Sequence, residues 1–287
     1  MKTLKEYVAE AEQRKVAIGH FNISNLEGVW AVFNAARKLD VPVVVGVSEG
    51  EREFVGVGAI AAVVKTIREH YNFPIFLNAD HTYSFGKVKE AIDAGFDSAI
   101  FDGAKSSFDE NVKATKECRE YMSKARPEAL LEGELGYIGQ SSKVLDAIPE
   151  GVDPKNAVTD PDEARRFVEA TGVDLLAPAV GNFHGMLRSG DEPLHIEVIG
   201  KIRAAAGVPL VLHGGSGISK ADFQKAIAAG IAMIHISTEL RVAYRKGLED
   251  SLAHNTQEIS PYKYLTPARD AMQAAVEEKL KIFNNLI

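Results

Sequence analysis

The sequence predicts an α/β protein: a (β/α)8 TIM barrel, one domain over residues 1–287 with extra helices at the termini. Three observations lead there. Short β-branched runs ending in Gly, Asn, Asp or His recur eight times, and helical apolar spacing follows them. No low-complexity tract or linker breaks the alternation. The length of 287 residues suits a barrel, which typically needs about 250. A doubly wound open sheet also alternates strand and helix, but eight units without a long crossover insertion favour closure.

Val16–Phe21 opens the series, and Leu26–Leu39 after it has helical spacing. Val41–Val47 and Ile75–Ala79 come next, the second followed by a helix over Lys87–Ala94. Ser98–Phe101 precedes a helix over Asp109–Lys124. Ala129–Gly133 leads into Gly136–Thr159, the longest irregular stretch, whose length suggests an active-site loop. The helix Pro161–Thr171 starts on a capping Asp160 with proline at its first position. Leu175–Ala179, Leu210–Leu212 and Met233–Ile236 complete the set. Their near-continuous hydrophobicity is what a parallel sheet covered by helices requires. Gly95, Gly172 and Gly230 fall where a helix ends before the next strand, a position favouring left-handed backbone.

Bulk properties exclude several function classes. Apolar residues make up 46%, enough for a large core. A net charge of −7 without a basic cluster argues against nucleic-acid binding. The charged stretch Met1–Arg14 lacks a signal peptide's apolar centre, and no apolar run approaches a bilayer span. Cys118 alone makes no internal disulfide. A cytoplasmic protein without membrane partners is expected.

Of eight histidines, His70, His195 and His254 fall in or beside outer helices. The other five, His20, His81, His184, His213 and His235, lie at or just past strand C-termini, where this fold places its chemistry. One such histidine is ordinarily a satisfied polar residue. Several converging from different strands suit a catalytic zinc site of three imidazoles plus an open position. In Asp80-His81, alternation forbids both side chains from facing one site while the strand stays regular, so the strand is expected to end near Asp80. A carboxylate there can serve as general base or support a ligand. His213-Gly214-Gly215-Ser216-Gly217 follows the seventh strand and Ile236-Ser237-Thr238 the eighth. Those loops are the fold's recurrent phosphate site, where glycine backbone and hydroxyls supply donors.

Taken together, Asn78-Ala79-Asp80-His81, Asp102-Gly103, Glu132-Gly133-Glu134-Leu135-Gly136, Ala179-Val180-Gly181-Asn182-Phe183-His184-Gly185 and His213-Gly214-Gly215-Ser216-Gly217 resemble the class II, metal-dependent fructose/tagatose-bisphosphate aldolases. The likeness runs from Phe21-Asn22 to Tyr264-Leu265 and Pro267-Ala268-Arg269. It implies a lyase cleaving a ketose 1,6-bisphosphate, foremost fructose 1,6-bisphosphate, into dihydroxyacetone phosphate and glyceraldehyde 3-phosphate. It also implies Zn2+ on His81, His184 and His213, with cobalt or another divalent metal as alternative. Asp80 matches the carboxylate exchanging a proton with the C4 hydroxyl. Gly185, Gly214, Ser216, Ser237 and Thr238 match positions around the dihydroxyacetone phosphate half, near which the family places a monovalent cation, Na+ or K+. Asn22 and Ser48 match cleft positions, and Glu132 and Glu134 match an acidic pair that supports or ligates the metal. Arg188 stands where relatives often carry lysine, and a homodimer or homotetramer is implied.

The chain departs from that pattern in three places. His235 replaces an asparagine that touches the substrate. The loop after the fifth strand reads Gly139-Gln140-Ser141-Ser142-Lys143 where relatives often have an acidic pair, leaving Asp146 or Glu150 as substitutes. Pro261-Tyr262-Lys263 replaces a Pro-Arg that meets the far phosphate, leaving Lys263 or Arg269. A ketose 1-phosphate aldolase, a tagatose-bisphosphate aldolase, a metal-dependent hydrolase and a non-catalytic sugar-phosphate-binding barrel stay open as alternatives.

Overall fold

The computed structural model describes residues 1–139, 142–148, 151–155, 157–188 and 194–287. Its strands are β1 (Ile18–Asn22), β2 (Val43–Val47), β3 (Ile75–Thr82), β4 (Ser98–Phe101), β5 (Leu130–Leu135), β6 (Val144–Leu145), β7 (Leu175–Pro178), β8 (Met186–Leu187), β9 (Leu210–Leu212) and β10 (Ile231–Ile236). Eight of them form a closed parallel barrel in the order β1-β10-β9-β7-β5-β4-β3-β2. These are the eight expected strands. β6 and β8 pair only with each other, so Gly136–Thr159 is not wholly irregular as expected.

Local signals set the helix ends. Leu26–Leu39 and Pro161–Thr171 form over the expected residues, capped by the Asn25 and Asp160 side chains. The helix expected from Lys87 starts at Phe85, because Ser84 accepts from the Lys87 amide. The one expected from Asp109 starts at Phe108, after a Ser107–Glu110 capping box. Helices also stand at both ends of the chain, Leu4–Arg14 and Thr266–Phe283. No helix among the described residues is long and apolar enough to cross a membrane.

Strand alternation divides the core in two. Val43, Val45 and Val47 of β2 pack outward among the helices. Val44 joins Phe76, Leu130, Leu175, Val211 and Met233 in a second cluster inside the barrel. Leu4, Val8 and Ala11 of the first helix belong to that inner cluster and close one end of the barrel. Further along the same strands, inward positions turn polar: His20 and Asn22, Asn78 and Asp80, Glu132 and Glu134, and His235, all at most 5% exposed. Buried polar groups must find partners or a ligand. That requirement marks the C-terminal end as the functional one.

Candidate functional site

β3 brings two consecutive side chains to one place. Phe76, Asn78 and Asp80 face inward in alternation, so a regular strand would point His81 outward. Instead the β3–β4 register slips between Ala79 and Thr82, and His81 takes φ +35°, a conformation few non-glycine residues adopt. The strand therefore does not end near Asp80 as expected; it is broken and continues. Buried Arg52 braces the break. Its guanidinium donates to the Asp80 carbonyl at 3.0 Å, the Val47 carbonyl at 2.6 Å and Thr82 Oγ1 at 3.0 Å. Such backbone strain costs about 1–3 kcal/mol and persists only where the surroundings impose it.

His184 and His213 arrive from other strands. His184 lies in the loop after β7, anchored by its backbone N–H on the Ile138 carbonyl at 2.8 Å. Asn182 in that loop accepts from the Val180 amide and donates to the His213 carbonyl at 3.0 Å, joining the two loops. Ring nitrogens of His81, His184 and His213 lie within 4.8 Å of one another. His81 Nε2 and His213 Nδ1 are 3.2 Å apart.

The far nitrogens of His81 and His213 meet carboxylates. His81 Nδ1 is 3.0 Å from Asp102 Oδ2 and 3.3 Å from Glu134 Oε2. His213 Nε2 is 2.7 Å from Glu132 Oε1. Asp102 draws the His81 hydrogen to Nδ1 and Glu132 draws the His213 hydrogen to Nε2, so lone pairs are left facing inward. Two lone pairs at 3.2 Å repel unless a cation lies between them. Tetrahedral zinc, with Zn–N of about 2.0–2.1 Å, sets its ligand nitrogens roughly 3.3 Å apart. His184 Nε2 is buried with no partner. Burial pushes the His184 imidazole well below its usual range, which keeps its lone pair free. The three donors fit a divalent ion; Glu132 lies behind the His213 ring, and Glu134 Oε2 lies behind His81, buried without a hydrogen bond.

Burial pushes the Asp80 carboxyl up, yet His81 and the other imidazoles around it hold it well below the usual carboxylate range. Asp80 Oδ2 accepts from Asn22 Nδ2 at 2.8 Å. Asp80 Oδ1 is 3.4 Å from His235 Nδ1.

A cavity of about 270 Å3 opens over this centre. Asn22, Ser48, Gly185, Gly214, Ser216, His235, Ser237 and Thr238 all line it, as do Asp80 and the three histidines. Gly214 is confined to glycine: its φ is +62°, and a Cβ would lie 2.1 Å from the Phe183 carbonyl oxygen. Ser237 Oγ is buried without a partner. It precedes the helix Thr238–His254, whose first N–H groups favour an anion.

Other expected residues lie elsewhere. Arg188 is bound to Asp146 at 2.8 Å, both largely exposed beside the β6–β8 pair, and neither lines the cavity. The two short strands pair Val144 with Met186 and Leu145 with Leu187. Lys263 pairs with Glu258 and Arg269 with Asp270, away from the cavity. Gln140, Ser141 and Glu150 lie outside the described residues.

Sequence reasoning missed Arg241 and Glu51. Arg241 lines the cavity and is the one lysine or arginine among the described lining residues. Its Nη2 donates to Glu51 Oε1 at 2.6 Å, and Glu51 Oε2 accepts from Asn22 Nδ2 at 3.0 Å and from Ser48. A signal existed: Arg241 lies one helical turn beyond Ser237, and helical side chains lean back toward the N-terminus.

Comparison with known proteins agrees with this geometry. The family described as "Fructose-bisphosphate aldolase class-II" matches residues 2–286. A fructose-bisphosphate aldolase of Staphylococcus aureus is 38% identical over 284 residues, covering 98% of this chain and 96% of the relative. One from Geobacillus stearothermophilus is 39% identical over 286 residues, covering 99% and 96%. Among solved structures, the YdjI aldolase from Escherichia coli K12 superposes with a TM-score of 0.81 at 30% identity, covering 99% of this chain and 97% of that one.

Proposed function

The chain belongs to the class II fructose-bisphosphate aldolase family, and on that premise we propose that it cleaves fructose 1,6-bisphosphate reversibly to dihydroxyacetone phosphate and glyceraldehyde 3-phosphate. It is a metal-dependent carbon–carbon lyase by that membership. One observation carries the residue assignment: His81 Nε2 and His213 Nδ1 face each other at 3.2 Å, with carboxylates behind both rings.

His81, His184 and His213 hold Zn2+ in this reading. A divalent ion bound there supplies Lewis-acid polarisation of the ketone oxygen. Breaking C3–C4 requires the C4 hydroxyl to lose its proton as the aldehyde forms, while the electron pair left on C3 takes up a proton to complete dihydroxyacetone phosphate. Asp80 takes that proton and returns it in condensation. Its depressed carboxyl keeps it ionised and ready to accept. Asn22 orients it through Oδ2.

The C1 phosphate rests on the backbone of Gly214, the Ser216 and Ser237 hydroxyls and the helix start at Thr238, with Gly185 beside it and Na+ or K+ as companion. Arg241 meets the C6 phosphate from beside Glu51, which also binds Asn22 and Ser48. This replaces Lys263 and Arg269 as the distal cation. The working enzyme is a cytoplasmic homodimer or homotetramer.

A chelator-controlled cleavage assay tests the reading with fructose 1,6-bisphosphate, tagatose 1,6-bisphosphate and fructose 1-phosphate. Turnover is expected to vanish on chelation, return with zinc and favour fructose 1,6-bisphosphate. Turnover insensitive to chelation removes the metal assignment, and preference for another sugar removes the substrate.

A further inference from the structure

His20 is wholly buried in the barrel, and the chemistry above does not use it. In the β1–β10 register it stands directly beside His235. The two rings lie flat on each other, centroids 3.4 Å apart and planes 3° from parallel. The His235 ring also stacks with that of His213, at 4.1 Å and 27°. His235 is thus held in a column of three imidazoles.

The column is built rather than incidental. His20 Nε2 lies 3.1 Å from Asn78 Oδ1, and Asn78 Nδ2 donates to Ser98 Oγ at 2.7 Å. Asn78 Oδ1 is therefore the acceptor, and His20 carries its hydrogen on Nε2. Gly46 on β2 leaves room for the ring: a Cβ there would sit 2.0 Å from His20 Cε1. Any larger residue at that inward position would expel the imidazole.

A second metal ion does not explain the cluster. One atom each of His20, Asp80 and His235 lie within 4.8 Å of one another. An imidazole nitrogen, however, binds an ion in its own ring plane. Two planes 3.4 Å apart and nearly parallel share no such point near the rings.

We propose that His20 is a positioning residue for the aldol reaction, holding His235 in the one ring plane from which it braces Asp80 and presents a hydrogen-bond acceptor to a substrate hydroxyl. The proposal rests on the aldolase reading. His235 Nδ1 lies 3.4 Å from Asp80 Oδ1, where an N–H is attracted and a lone pair repelled. That places the hydrogen on Nδ1. Neither His235 nitrogen nor Asp80 Oδ1 has a closed hydrogen bond, so it is the 3.4 Å approach to the carboxylate that sets Nδ1 apart and leaves Nε2 as the acceptor. Without His20 the ring gains a void on one face and loses its fixed plane.

A double-mutant cycle on the zinc-loaded enzyme tests this, using fructose 1,6-bisphosphate cleavage with His20→Ala, His235→Asn and the pair. His20→Ala is expected to lower kcat about tenfold, with KM within about twofold and zinc stoichiometry unchanged. In the His235→Asn background the same change is expected to move kcat less than about twofold. Independent, multiplying effects overturn the proposal, as does a loss confined to KM or zinc content. His20→Phe keeps a stacking ring without the Asn78 bond and is expected to recover most of kcat; a folded but slow His20→Phe enzyme also counts against it. Imidazole 15N NMR reads the claim without turnover. The unaltered protein should show His235 as a single Nδ1–H tautomer and His20→Ala a mixture of tautomers; identical spectra overturn it. Inactivity of the unaltered zinc enzyme on every ketose phosphate would instead fail the aldolase reading, leaving the NMR result to judge His20.

Discussion

Glu132 Oε1 lies 2.7 Å from His213 Nε2, with the two side chains essentially sealed from solvent at 1% and 0% exposure. The contact sets which nitrogen of His213 carries hydrogen, and so which one points into the site. Support of this kind acts on metal affinity without touching the metal.

Glu132→Gln is therefore expected to weaken zinc binding by about 10–100-fold. Competition against a chromophoric chelator measures it. An unchanged zinc Kd would show that His213 keeps its orientation by packing alone.

Asp80 faces the same cavity without being one of the three imidazoles. Asp80→Ala is expected to cost about 10²–10⁴ in kcat, the range for a general base, while zinc content stays at the unaltered level. Near-normal cleavage by the variant would reassign the proton transfer.

Arg241 lines the cavity and, in the proposed function, meets the distal phosphate. Arg241→Met is expected to raise KM for fructose 1,6-bisphosphate by about 10–100-fold, the loss of one charge-assisted contact of about 1.5–3 kcal/mol. Fructose 1-phosphate, lacking the second phosphate, should show little change. Equal losses on both sugars would place Arg241 elsewhere in the site or in the fold.

Burial pushes the Cys118 thiol up to about 12, and the residue is 0% exposed. A raised thiol pKa means the folded protein excludes the thiolate below that pH. Any stability from the shift is complete below the ordinary value of 9.0 and is lost as pH climbs toward about 12. At pH 8 a thiol-reactive disulfide reagent is expected to label Cys118 only after denaturant is added. Rapid labelling of the folded protein would contradict the burial.

How much of this was legible beforehand follows from the range of each interaction. The ends of Leu26–Leu39 and Pro161–Thr171 were readable because Asn25 and Asp160 cap through bonds to residues two or three positions away. Five histidines near strand ends could be seen to share one face, because barrel closure puts every strand C-terminus there. The β3 break was not readable. It depends on Arg52, which reaches across from the helix Glu49–Val55 to carbonyls of both β2 and β3.

The amino-acid sequence by itself determined the alternation of elements, the closed barrel and the residue types at its functional end. Those features arise from periodicity and turn chemistry within a few neighbouring residues. Only the tertiary structure decided which nitrogen each histidine offers, where Arg241 reaches, that Arg188 turns away to Asp146, and that His20 lies flat on His235. Each of those rests on a contact between residues far apart in the chain, and such contacts exist only once closure has made the strands neighbours.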